Sequence, residues 1–180
     1  MGNINGSKAL ADVLTLSRAL LGAVLVWLGL AVGPDGLPLA MCVLIVAWTT
    51  DVLDGALARH EANLRRSWVG EHDLLFDVSV AVGVCVYLMF AGFISTLAAG
   101  AYLICAGPVA AYFRSKAFAN AVQAIAYASL VLIGLFDAPL FGGLAIVWMG
   151  LAITITWPRF ARRQVPEFLG GIRDLLRNRR

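Results

Sequence analysis

The chain has 180 residues, of which 61% are hydrophobic and 14% are charged, and its formal net charge is +3. Soluble domains are about 45–50% apolar and about 25% charged, so this composition and the mean hydropathy of +0.83 exclude a typical soluble domain. They indicate a polytopic membrane protein with little room for a separate soluble domain.

Six apolar stretches follow one another along the chain, each long enough as a helix to cross about 30 Å of hydrocarbon. Short breaks containing glycine, proline or charge separate them, and the sequence has no strand-like alternation. The pattern predicts an all-α integral membrane protein, with a six-helix transmembrane domain over 1–158 and a basic cytoplasmic tail over 159–180 that could form a short amphipathic helix. The predicted spans are Leu14–Val32, Leu37–Ala58, Asp73–Ala91, Phe93–Phe113, Ala117–Phe136 and Leu140–Trp157.

The basic residues predict the orientation of this bundle. With six spans, all 14 lysines and arginines fall on one side of the membrane and the opposite loops have none. By the positive-inside rule, both termini and the loop between the second and third spans face the cytoplasm. We expect a multi-pass protein of a bacterial or archaeal inner membrane. The basic residues that define this side are Lys8, Arg18, Arg59, Arg65, Arg66, Arg114, Lys116, Arg159, Arg162, Arg163, Arg173, Arg177, Arg179 and Arg180.

Four aspartates interrupt the apolar pattern in "DVLDGALARHEANLRRSWVGEHDLLFD", which runs from Asp51 to Asp77. Asp51 lies about 21 Å along its predicted helix, and therefore about 9 Å inside the cytoplasmic boundary. Asp54 is about one turn nearer to water, and Asp73 and Asp77 have a matching depth in the next helix. Residues three or four apart share a helix face, so an antiparallel hairpin can bring the two pairs together.

Four carboxylates at this depth require compensation, because inserting one aspartate at a helix centre costs about 2.5–3.5 kcal/mol. An oxygen-rich cluster suits Mg²⁺, Mn²⁺ or Ca²⁺, and two such cations can bind a pyrophosphate and stabilise an in-line displacement. The acidic cytoplasmic vestibule of a small membrane transporter, or a proton relay, explains the same residues. Depth and charge alone leave these interpretations open.

The residues around the aspartates resemble the signature of the CDP-alcohol phosphotransferases, D-x-x-D-G-x-x-A-R followed by G-x-x-x-D-x-x-x-D. "DVLDGALAR" matches the first half at five positions, and Asp73 and Asp77 match the last two acids. "DVLTLSR", which begins at Asp12, is similar to the family's N-x-x-T-x-x-R. The matching residues of the first half and of the N-terminal motif are Asp51, Asp54, Gly55, Ala58, Arg59, Thr15 and Arg18.

The resemblance implies transfer of a phosphatidyl group from a CDP-linked lipid, such as CDP-diacylglycerol, to an acceptor alcohol, with release of CMP. It implies that Asp51, Asp54, Asp73 and Asp77 hold two divalent cations, Mg²⁺ or Mn²⁺, and that Asp77 takes the proton of the acceptor. It also implies a homodimer among membrane lipids; no nucleic-acid partner is expected. The implied nucleotide-binding residues are Thr15, Arg18, Asp54, Gly55, Ala58, Arg59 and Gly70.

The second half of the signature departs from the family pattern at its glycine. Val69 occupies the family's glycine position, and Gly70 comes one residue late. A loop absorbs an insertion at small cost, but glycine is used where backbone approaches a ligand closely. A catalytically silent, lipid-binding relative is therefore an alternative interpretation.

The acceptor is expected to be glycerol 3-phosphate, since Arg66, Arg114 and Lys116 could bind its phosphate. These basic residues could instead mark the cytoplasmic edge and contact lipid headgroups. In the related phosphatidylglycerophosphate synthases the fifth helix often has two lysines and a glutamine. Here the glutamine is kept as Gln123, and alanines replace both lysines.

Overall fold

The computed structural model describes the backbone of residues 4–60, 73–113 and 116–159, and side chains mainly within 16–53, 78–104 and 120–155. All regular structure in these ranges is helical. Six long helices follow in chain order, with one short 3₁₀ helix, Gly33–Gly36, after the first. They are α1 (Ile4–Ala31), α2 (Leu37–His60), α3 (Asp73–Phe90), α4 (Thr96–Phe113), α5 (Lys116–Asp137) and α6 (Pro139–Arg159).

Within the described residues the prediction of an all-α fold with six long helices is confirmed, and most boundaries agree to within a few residues. The largest difference is at α1, which begins at Ile4, ten positions before the predicted apolar start at Leu14. Helix formation does not require apolar side chains, so the polar segment before Leu14 continues the helix. At about 1.5 Å per residue, α1 is about 42 Å long, which exceeds the hydrocarbon thickness of about 30 Å.

The turn between α3 and α4 explains why α4 begins at Thr96 and not at the predicted Phe93. Gly92 has φ +79°, which glycine adopts without a Cβ penalty. Its N–H donates to Met89 O at 3.1 Å and the Phe93 N–H donates to Leu88 O at 2.9 Å, the two bonds of a Schellman C-cap. Ser95 Oγ then accepts from the Ala98 N–H at 3.2 Å and caps the next helix.

The core lies where α1, α2, α3 and α5 meet. Its largest fully buried side chains include Leu25, Met41, Leu44, Tyr87 and Leu130. Helix α1 packs most extensively against α3, and then against α2. This packing brings one face of α1 close to both helices that carry the predicted acidic motif.

Many large apolar side chains remain exposed on the outside of the bundle, including Leu97 at 84% and Phe136 at 82%. Exposed apolar surface on this scale marks contact with lipid or with another protein. Two segments of the described chain, Gly33–Leu53 and Asn120–Asp137, are long and apolar enough to cross a membrane, and three further apolar helical segments are shorter. Together they indicate a membrane protein. The predicted tail after Arg159 lies outside the described residues.

Candidate functional site

An ion pair joins the two sequence motifs that were singled out above. Arg18 Nη1, on α1, donates to Asp51 Oδ1, on α2, at 2.9 Å. The two side chains differ in exposure, at 3% for Arg18 and 63% for Asp51. The guanidinium is therefore held inside the bundle, while the carboxylate lies at its accessible surface.

The residues before Asp51 on α2 have a structural role of their own. Thr49 Oγ1 donates to Ile45 O at 2.7 Å, and Thr50 Oγ1 donates to Ala47 O at 2.8 Å. Both hydroxyls thus bond to carbonyls of their own helix, as half-buried threonines in helices can do. Asp51 is the acid that this part of α2 presents to the site.

A cavity of about 230 Å³ opens beside the ion pair. Helices α1, α2, α3 and α5 all contribute to its wall, and α5 supplies the largest share. Its lining combines polar side chains, two aromatic rings and small apolar residues. The lining residues are Arg18, Ala47, Trp48, Asp51, Val80, Asn120, Gln123, Ala124 and Tyr127.

Helix α5 presents its polar face to this cavity. Asn120, Gln123 and Tyr127 are three and four residues apart, the spacing that keeps side chains on one face of a helix. Gln123 is 7% exposed, and its Oε1 accepts a hydrogen bond from Tyr127 Oη at 3.5 Å. Tyr102 on α4 donates to Val122 O at 3.0 Å, which ties α5 to its neighbour beside this face.

Two aromatic rings, those of Trp48 and Tyr127, also line the cavity. Trp48 contacts Tyr127 edge-to-face, with ring centroids 5.9 Å apart and an interplanar angle of 83°. Its ring also stacks on Trp148 of α6 at 5.9 Å. Such pairs each contribute about 0.5–1.5 kcal/mol beyond area burial. They connect α2, α5 and α6 and hold the Trp48 ring in place.

Of the predicted site residues, Arg18 and Asp51 are brought together by side-chain contact. The others with a described backbone lie on the same helices, but their side chains are outside the described set. Asp54 follows Asp51 by one turn of α2, and Asp73 begins α3 with Asp77 one turn later. Thr15 lies on α1; Gly55, Ala58 and Arg59 lie on α2; Lys116 begins α5; Arg66, Gly70 and Arg114 fall outside the described residues.

Sequence reasoning did not include Trp48, Asn120, Gln123 or Tyr127 among the site residues. The signal that could have found three of them is the spacing of polar groups along an otherwise apolar α5. Arg18 also has a partner that was not foreseen, because its expected role was to bind nucleotide or phosphate. That role stays a prediction beside the observed contact with Asp51.

The donor chemistry of the acidic motif fits a hard divalent cation. Carboxylate oxygens are the ligands that Mg²⁺ and Mn²⁺ prefer. Asp51, the one acid of the four whose side chain is described, is 63% exposed and so accessible to an ion from solvent. Among the described side chains, no three potential ligands of the histidine, cysteine or acidic type come together.

Comparison with known proteins identifies the family. The family model for CDP-alcohol phosphatidyltransferase matches residues 8–158, which include both motifs and all of the four cavity-forming helices except the first four residues of α1. No curated protein and no solved structure gives a significant match. The match covers most of the chain, and the chain therefore belongs to the CDP-alcohol phosphatidyltransferase family.

Proposed function

We propose that this protein transfers a phosphatidyl group from CDP-diacylglycerol to a small alcohol and releases CMP, as a step of phospholipid synthesis. The observation that carries the proposal is the 2.9 Å contact between Arg18 and Asp51 beside a cavity. It joins the N-terminal motif and the acidic motif at one place, although 33 positions separate these residues. Family membership supports the same reaction class.

Two divalent cations, Mg²⁺ or Mn²⁺, would be held by Asp51, Asp54, Asp73 and Asp77. When bound, they would supply positive charge that neutralises the pyrophosphate. In the helix order of the structure, Asp54 lies one turn beyond Asp51, and the other pair begins the helix that packs against α1. All four carboxylates therefore belong to helices that surround Arg18.

The remaining chemistry falls to side chains of this protein. The acceptor hydroxyl gives its proton to Asp77, and its oxygen forms a bond to the lipid-side phosphorus. The bond from that phosphorus to the CMP oxygen breaks, and CMP leaves with the electron pair. Thr15, Arg18, Gly55, Ala58, Arg59 and Gly70 are proposed to hold the nucleotide. Positioning and charge stabilisation provide most of the rate in such transfers.

Glycerol 3-phosphate is the proposed acceptor. Lys116 begins α5 and lies four residues before Asn120, a spacing typical of one helix face, which supports a role in binding the phosphate of this acceptor. Glycerol 3-phosphate carries a phosphate at one end and two hydroxyls along the rest of its carbon chain. The phosphate would lie near Lys116, and the hydroxyls would lie near Asn120 and Gln123. Arg114 and Arg66 are further proposed phosphate contacts.

The proposed setting is a multi-pass homodimer in a bacterial or archaeal inner membrane, with both termini and the active site facing the cytoplasm. The exposed apolar side chains of the bundle support burial in lipid. A site near the cytoplasmic boundary lets lipid tails stay in the membrane while the water-soluble acceptor and CMP exchange with the cytoplasm.

The reaction is tested by CMP release from purified protein in detergent with CDP-diacylglycerol. Glycerol 3-phosphate, inositol phosphate, serine and phosphatidylglycerol are supplied separately, each with Mg²⁺, with Mn²⁺ or after chelation with EDTA. We expect release that depends on glycerol 3-phosphate and on metal. CMP release only with a different acceptor would show that this acceptor, and not glycerol 3-phosphate, is the substrate. CMP release that EDTA does not affect would contradict the proposed role of divalent metals.

Replacing Arg18 tests whether the arginine positions Asp51. We expect Arg18→Met to lower kcat/KM at least about tenfold, because Asp51 loses the contact that fixes its carboxylate. Asp51 is 63% exposed and stays solvated, so the melting temperature should change little. Arg18→Lys keeps the charge and should recover part of the activity. Equal activity of Arg18→Met and the unmodified protein would contradict the positioning role.

A further inference from the structure

The side-chain nitrogen of Gln123 is a buried donor without a hydrogen-bond partner among the described residues. Gln123 is only 7% exposed, and its side chain lines the cavity beside the ion pair. Its oxygen already accepts from Tyr127 Oη at 3.5 Å. Since buried polar groups are nearly always hydrogen-bonded, this amide points to a ligand in the cavity that accepts from it.

The groups around Gln123 indicate what kind of ligand this is. Asn120 and Tyr127 share the same face of α5, and both are neutral groups that donate and accept hydrogen bonds. The Trp48 ring, which contacts Tyr127 edge-to-face, adds an apolar surface to the same cavity. Neutral amides and a phenol beside an aromatic ring suit the hydroxyl groups and C–H faces of a polyol.

The volume of the cavity suits the smaller of the two substrates, the acceptor alcohol. Its volume of about 230 Å³ lies below the range of about 300–1,000 Å³ that is common for drug-sized ligands. A small alcohol fits a space of this size. The cavity also adjoins Asp51, so an alcohol inside it would lie next to the acidic motif.

We propose that this cavity binds the acceptor alcohol and that Gln123 recognises a second hydroxyl of that acceptor by a hydrogen bond. This inference rests on the function proposed above. One hydroxyl of the acceptor reacts at phosphorus. The other stays intact and accepts a hydrogen bond from Gln123 Nε2, while Tyr127 holds the amide in place. The protein thereby selects a polyol over an alcohol that has only the reacting hydroxyl.

The test compares glycerol 3-phosphate with 3-hydroxypropyl phosphate, which lacks only the middle hydroxyl. The unmodified protein should prefer glycerol 3-phosphate about ten- to a hundredfold in kcat/KM, because 3-hydroxypropyl phosphate lacks the hydroxyl that would accept a hydrogen bond from Gln123. In Gln123→Leu, this ratio should fall to within about threefold of one. The KM for CDP-diacylglycerol should not change.

Two further variants separate specificity from folding. Ser129→Ala is the matched control, because Ser129 Oγ bonds to Ile125 O of its own helix and does not line the cavity. It should keep the full ratio. Tyr127→Phe keeps the ring and removes the hydroxyl that bonds to Gln123, so it should lower the ratio about threefold. This variant answers the question if Gln123→Leu does not fold.

Calorimetric binding of the same two probes distinguishes failure of this inference from failure of the proposed function. Tighter binding of glycerol 3-phosphate that is lost in Gln123→Leu, without CMP release from any acceptor, would keep the inference and reject the reaction. CMP release with the same preference in Gln123→Leu and the unmodified protein would reject the inference and keep the reaction. Equal binding of both probes by the unmodified protein would also overturn the inference.

Discussion

Asp51→Asn is expected to reduce acceptor-dependent CMP release at least about a thousandfold, equivalent to about 4 kcal/mol of transition-state stabilisation. Asparagine has nearly the same shape and its oxygen can still accept from Arg18 Nη1, which lies 2.9 Å from Asp51 Oδ1. The substitution therefore removes the negative charge that the proposed cations require and leaves the local geometry in place.

The stability of Asp51→Asn should fall by no more than about 1–3 kcal/mol, because the asparagine oxygen can still accept from the Arg18 guanidinium, which is 3% exposed, although the charge of the pair is lost. Asp35→Asn is the matched control. Asp35 is also an exposed acid, but it lies in the 3₁₀ helix at the opposite end of α2. Its substitution should leave CMP release unchanged. More than about a tenth of the original activity in Asp51→Asn would contradict a role for Asp51 as a metal ligand.

Gly83→Ala is expected to give a large loss of stability for the addition of a single methyl group. A Cβ at this position of α3 would lie 2.5 Å from Gly22 O and 2.9 Å from Gly22 Cα, on α1. These are backbone atoms, so the contact can be relieved only if the two helices separate. Overpacking of this kind typically costs about 1–3 kcal/mol. Activity should fall too, since Arg18 lies one turn from Gly22 on α1.

Thermal unfolding of the detergent-solubilised protein measures this effect. Gly100→Ala provides the control, because a Cβ at Gly100 of α4 meets no atom within 4 Å. Alanine is favoured over glycine by about 1 kcal/mol inside a helix, so this variant should be neutral or slightly stabilised. A Gly83→Ala protein that melts at the same temperature as Gly100→Ala would show that α1 and α3 do not cross so closely.

The helices were predictable from the sequence because their apolar lengths and the breaks between them are local properties. Gly92 and Asp137, for example, mark helix ends that the structure also has. The beginning of α1 was not predictable from hydropathy, since its polar N-terminal segment is helical without being apolar. The start of α4 was displaced by the C-cap at Gly92 and the N-cap at Ser95, which reflect hydrogen bonding and not hydropathy.

The motifs predicted which helices carry the site, but not how those helices are rotated against one another. The contact between Arg18 and Asp51 depends on the crossing of α1 and α2, which no local pattern encodes. The cavity face of α5 was missed for a related reason. Trp48 and Tyr127 resemble packing residues in sequence, and only the meeting of α2 with α5 places them beside Gln123.

The most direct measurement of the proposed reaction uses isotopically labelled glycerol 3-phosphate with CDP-diacylglycerol, Mg²⁺ and the purified protein. CMP and the lipid products are quantified together by mass spectrometry, with Asp51→Asn alongside. We predict that the label enters phospholipid in equal amount to the CMP released, and that both products are lost in the variant. CMP without labelled lipid, or labelled lipid formed equally by Asp51→Asn, would contradict phosphatidyl transfer at this site.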